Sequence, residues 1–159
     1  MDDPRRSPAW AAVVTALLCV AVSAGGCGPR RPISPDDVIA ISRLRSLQTS
    51  LEVYRKMKGV FPGRWSQVYD VGTEFAPSPE FRTSSGTLSG HAVEGHRYTY
   101  APRGIHGFIL TATPVVAGKT GYRSYYLDDT MVFRHCLASS QGQGASAGDP
   151  TVDEPPDQC

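Results

Sequence analysis

The sequence predicts an α+β domain: an N-terminal amphipathic helix packed on a four-stranded antiparallel β-meander, followed by a disordered acidic tail. Three observations lead there. Apolar residues recur every three or four positions from Ile41 to Met57, the spacing of one helical stripe. From Arg97 the period becomes two and holds through Phe133, the spacing of half-buried strands. From Ala138 to Gln158 the chain is Ser, Gly, Gln, Asp and Pro with almost nothing apolar, too little to offset the entropy of ordering.

The helix has clear boundaries. Ser34 can cap it, Pro35 suits the first helical position, and Asp36 and Asp37 favour the positive end of its dipole. Ile41, Leu44, Leu47, Leu51, Tyr54 and Met57 form the stripe, while Arg43, Arg45, Glu52, Arg55 and Lys56 lie largely off it. Lys58 and Gly59 supply a basic last turn and a stop. A short helical turn is expected around Trp65 to Tyr69. Residues 73–94 then read as a polar loop, long for a compact domain.

Four strands are expected around Tyr98/Tyr100, Phe108/Leu110/Ala112, Tyr122/Ser124/Tyr126 and Met131/Phe133. Pro102-Arg103-Gly104, Pro114 to Gly121, and Asp128-Asp129 are the intervening turns.

Ahead of the domain, Arg5 and Arg6 precede an apolar run from Trp10, which ends in the small residues Ala24, Gly25 and Gly26 before Cys27. This is the order of a secretory signal peptide. The small residues directly before Cys27 resemble the lipobox of bacterial lipoproteins, although Ala24 stands where leucine is commonest and Asp2 and Asp3 dilute the basic start. The resemblance implies that Cys27 is lipidated and becomes the mature N-terminus, tying the domain to a membrane. Gly28, rather than the aspartate that retains enterobacterial lipoproteins at the inner membrane, tilts the expectation toward the outer one. An uncleaved anchor or an ordinary signal peptide is the alternative, since the run is at the short edge of a membrane span. The expected organisation is a signal at 1–26, a linker at 27–33, the domain at 34–137 and the tail at 138–159.

Four cysteines divide by position: Cys19 lies in the signal, Cys27 is the lipidation site, and Cys136 and Cys159 remain. An oxidising compartment permits a bridge between the last two, which would tether the tail to the end of the last strand. Two free thiols, or pairing with another molecule, is the alternative.

With 16 Lys+Arg against 15 Asp+Glu, no basic field argues for nucleic acid or for an anionic membrane surface. His91, His96, His106 and His135 lack metal-ligand spacing, and His91 and His96 read as loop residues near Glu94. Ser84, Ser85 and Ser89 form no nucleophile elbow, and the glycine patches lack the Lys-Ser ending of a phosphate loop. No enzyme, cofactor or metal is expected.

The order of elements is similar to the globular domain of type IV pilin-like proteins and pseudopilins. Three stretches carry the likeness: Ala40 to Gly63 (AISRLRSLQTSLEVYRKMKGVFPG), Tyr98-Thr-Tyr with Gly107 to Pro114 (GFILTATP), and Tyr122 to Arg134 (YRSYYLDDTMVFR). The prepilin-peptidase site of that family is missing, and Gly28, Pro29, Pro32 and Pro35 separate the apolar run from the amphipathic helix. If Cys27 is the mature start, the family's packing helix is gone. The likeness therefore implies a head domain on a lipid, with filament incorporation in doubt. Some pseudopilins hold calcium near their last strands; here Asp128 and Asp129 read rather as turn formers.

The tyrosines read first as cross-strand pairs that pin register. Arg123 and Tyr125 share one face and Tyr122 and Tyr126 the other, and whichever set points outward is the expected partner contact. The expected function is non-enzymatic: a structural or accessory envelope lipoprotein binding other proteins, by resemblance those of a type II secretion or pilus-like system. The alternative is a stand-alone ligand- or metal-binding periplasmic module using the 73–94 loop.

Overall fold

A computed structural model of the protein describes residues 33–139 and 143–159. The apolar run and Cys27 lie outside them. Helix α1 spans Pro35–Lys58. Its first turn is closed by a reciprocal pair: the Ser34 hydroxyl accepts the Asp37 N–H at 3.1 Å, and the Asp37 carboxylate accepts the Ser34 N–H at 3.1 Å. At the other end Gly59, with φ of 77°, donates its N–H to the Arg55 carbonyl, a left-handed cap that costs a side-chain-bearing residue more.

The strands are β1 (His91–Val93), β2 (His96–Arg103), β3 (Gly107–Pro114), β4 (Arg123–Asp128), β5 (Arg134–Leu137) and β6 (Asp157–Gln158). They form one six-stranded sheet in sequence order. β1 to β5 pair antiparallel and β5 to β6 parallel.

This corrects the expected architecture in three places. The sheet is six-stranded and mixed rather than a four-stranded antiparallel meander. Met131 and Phe133 alternate in sequence but precede the last antiparallel strand, because Met131 adopts φ of 61° and pairing starts at Arg134 opposite Tyr126. The tail, expected as disordered, adds β6 and a bridge between Arg134 and Thr151. Apolar burial is only part of what orders it: Ala145 packs with Tyr126 and Cys136, and Val152 lies against the main core. Cys159 is joined to Cys136 at S–S 2.06 Å. The Ser146 hydroxyl donates to Asp149 and the Thr151 hydroxyl to Glu154, closing two local turns.

The core explains the ordering of residues 59–94. Leu44, Leu47 and Leu51 of α1 belong to the same buried cluster as Leu110, Tyr125 and Leu127 of the sheet. Phe81 and Leu88, inside the stretch expected as a polar loop, are buried in that cluster as well. Trp65 opens a 3-10 turn (Trp65–Val71) and donates its indole N–H to the Phe81 carbonyl at 2.8 Å. The Tyr100 hydroxyl donates to the Pro62 carbonyl at 2.6 Å. Both rings thus bury their bodies and satisfy their polar ends. Among the described residues no helix is long and apolar enough to cross a membrane.

Candidate functional site

β4 is covered on both sides, and this decides where the expected contact residues lie. Register pairs Ala112 with Tyr125 and Tyr125 with His135, so these share the face toward α1. Thr111 pairs with Tyr126, and Ser124 with Cys136, on the outer face. Tyr125 is 0% exposed on the first face. Tyr126, at 5%, packs with Cys136 and Ala145 on the second, with Ile109 and Cys159 against them. Arg123 is also buried and Tyr122 half-buried. Three of the four expected contact residues are therefore inside the fold. Alternation showed which residues share a face; that the tail covers the outer face was not visible in it.

A polar cluster joins α1 to the sheet. Asp37, fully buried, accepts the backbone N–H groups of Tyr122 at 3.2 Å and Arg123 at 3.1 Å. His96 stands beside it, with Nε2 3.7 Å from Oδ1, beyond hydrogen-bond length. Burial alone would raise the Asp37 carboxyl. The His96 ring, the Ser34 hydroxyl and backbone N–H, and the Tyr122 N–H outweigh burial and lower it from 3.8 to about 2. His96 was expected in a loop; it opens β2 and is buried. The signal was present in His96/Tyr98/Tyr100, whose alternation extends the strand back by one step.

Arg123 continues the cluster toward the tail. Its Nη1 lies 3.3 Å from His135 Nδ1, and His135 Nε2 lies 2.9 Å from the Glu154 carbonyl. A carbonyl only accepts, so Nε2 carries the proton and Nδ1 is left to accept from Arg123. Burial lowers the His135 pKa; the Glu154 carbonyl opposes that shift and the Arg123 charge reinforces it. His91 sits elsewhere, its Nε2 2.8 Å from the Glu80 carbonyl. Asp128 accepts the Thr130 N–H at 2.9 Å, closing the turn after β4. Among the described residues no cluster of His, Cys, Asp and Glu has the makings of a metal site.

The outer face holds a cleft of about 380 Å³, at the lower end of small-molecule pocket sizes (roughly 300–1,000 Å³). Arg97, Thr113 and Ser124 line it from β2, β3 and β4, with Arg97 and Thr113 directly paired. Val115 and Val116 contribute an apolar wall, and Ser139 and Gln143 of the tail the opposite rim. The tail is close here: a Cβ on Gly144 would sit 3.2 Å from Thr113 Cγ2. The Ser124 and Ser139 hydroxyls are buried without a hydrogen-bond partner among the described residues. No sequence motif marks this cleft, since its residues are scattered over three strands and the tail.

No protein-family model, curated protein or solved structure matches this chain.

Proposed function

We propose that this chain is an exported, lipid-anchored envelope protein whose domain acts without catalysis, by binding other proteins. The observation that carries the reading is the division of the cysteines. Cys27 stands alone after a signal-like run, whereas Cys136 and Cys159 form a disulfide, a bond that persists in oxidising compartments and is rare in reducing ones. The likeness of three sequence stretches to pilin-like proteins makes a type II secretion or pilus-like assembly the partner to look for. The outer membrane is the favoured attachment.

Metabolic labelling with a fatty-acid analogue tests the anchor. Wild type should take up lipid and Cys27→Ser should not; an unlabelled wild type retained in membranes would overturn it. In-cell crosslinking with membrane extraction and affinity capture tests the partner, with recovery of secretion or pilus components as the expected result.

A second reading, a ligand-binding envelope module, is favoured by the cleft over β2 to β4. The 73–94 segment serves it less well, because Phe81 and Leu88 there are committed to the core.

A further inference from the structure

We infer that the cleft over β2, β3 and β4 is a binding site for a small organic carboxylate with an apolar body. This deepens the ligand-binding reading and is independent of the lipid anchor, so either can fail without the other.

A buried hydroxyl without a partner costs stability, and native folds leave few of them. Ser124 is fully buried in the sheet and its Oγ has no partner among the described residues, yet it lines the cleft. Sheet parity places it on the outer face with Tyr126 and Cys136. The Ser139 hydroxyl, on the rim, is unpartnered in the same sense.

The third polar group is a cation. Arg97 is exposed at the cleft, and no hydrogen bond or ion pair joins its guanidinium to another described residue. By contrast Arg43 is paired with Glu80 and Glu94. The guanidinium offers only donors, which a carboxylate accepts in a fork, and each hydroxyl can donate one more hydrogen bond to it. Val115, Val116 and Ala138 supply an apolar surface beside them, so the occupant carries hydrocarbon next to its charge. The mixture of an apolar wall and a few convergent polar groups is that of small-ligand pockets.

The test is a titration of the full chain in detergent, disulfide intact, with N-acetylleucine as probe and N-acetylleucinamide as the uncharged control, read from the amide resonances of Thr113 and Ser124. Saturable shifts are expected with the acid, with affinity at least about tenfold weaker for the amide. Arg97→Gln should weaken the acid by about tenfold or more, while Arg45→Gln, on α1, should leave it unchanged. Ser124→Ala should weaken binding and raise the melting temperature of the free protein by about 2 °C or more, since it removes an unpartnered hydroxyl. Equal binding of acid and amide, or an acid affinity indifferent to Arg97→Gln, would overturn the proposal. So would an absence of saturable shifts. A tetrapeptide ending in leucine separates the sources of the same carboxylate: tighter binding than the free acid supports a polypeptide C-terminus, and weaker binding supports a free small molecule.

Discussion

The carboxylate of Asp37, in the first turn of α1, accepts the backbone N–H of Arg123 at 3.1 Å across 86 residues of sequence. One side chain thus caps its own helix and holds the start of β4. Since β4 lies between β3 and β5, this contact sets the helix N-terminus against the middle of the sheet.

Asp37→Ala should cost about 3 kcal/mol, since it removes the capping partner of Ser34 and leaves two buried N–H groups unmatched. The carboxyl is lowered from 3.8 to about 2 in the fold, so its contribution is complete above 3.8 and fades as pH falls toward 2. Chemical denaturation should show wild type losing on the order of 2 kcal/mol more than the variant across that window. Parallel pH curves would contradict the role.

Gly121 is the close neighbour of this cluster. Its φ is +149°, and a Cβ there would lie 2.7 Å from His96 Cε1 and 3.0 Å from Asp37 Oδ1. Gly121→Ala should therefore destabilise by about 2 kcal/mol or more, whereas Gly90→Ala, with open space around it, should pay only for its backbone conformation. Comparing melting temperatures of the two variants separates crowding from backbone strain.

Cys159→Ser should release the tail. Closing a loop of this size, with a sequence separation of 23, is worth about 3 kcal/mol by loop entropy. The variant should melt lower and be cut faster between residues 143 and 159 in limited proteolysis. Because Tyr126 packs under Cys136 and Ala145, its ring should also become more accessible, which tyrosine fluorescence quenching reads.

His135 ties the same tail through the Glu154 carbonyl. Its pKa lies below 6.5 in the fold, so the unfolded chain takes up this proton first as pH falls. The stability it contributes is complete above 6.5 and declines below. Protonation would also set an Nδ1–H against the Arg123 guanidinium. His135→Gln should flatten the loss of stability as pH falls below 6.5; an unchanged slope would count against the contact.

Tyr98 is buried with its hydroxyl unpartnered among the described residues, and burial raises its pKa strongly. Tyr98→Phe keeps the edge-on contact with Phe81 and removes the orphan group. It should be neutral or stabilising by up to about 1 kcal/mol. A loss beyond that would count against the hydroxyl being an orphan group.

Local chemistry alone marked α1 and the alternation of β2, β3 and β4, though not the last antiparallel strand, which begins after Met131 and Phe133. Ser34, Pro35 and Gly59 mark the helix ends because capping depends on residues a few positions apart. The alternation of Tyr98, Tyr100, Phe108 and Leu110 follows from the pleat. The cysteine count pointed to the Cys136–Cys159 pair for the same reason: it needed only position and composition. Tertiary structure decided the rest. Asp37, legible as a dipole-favouring residue, became the link to β4 only when residues far apart in sequence met. Phe81 and Leu88 entered the core although their neighbours are polar. The tail became ordered because a covalent bond and paired backbone added to the small apolar area of Ala145 and Val152 in offsetting its entropy. In covering the outer face it buried Tyr126 and formed one rim of the cleft around Arg97 and Ser124, a site with no sequence motif because its residues converge only in space.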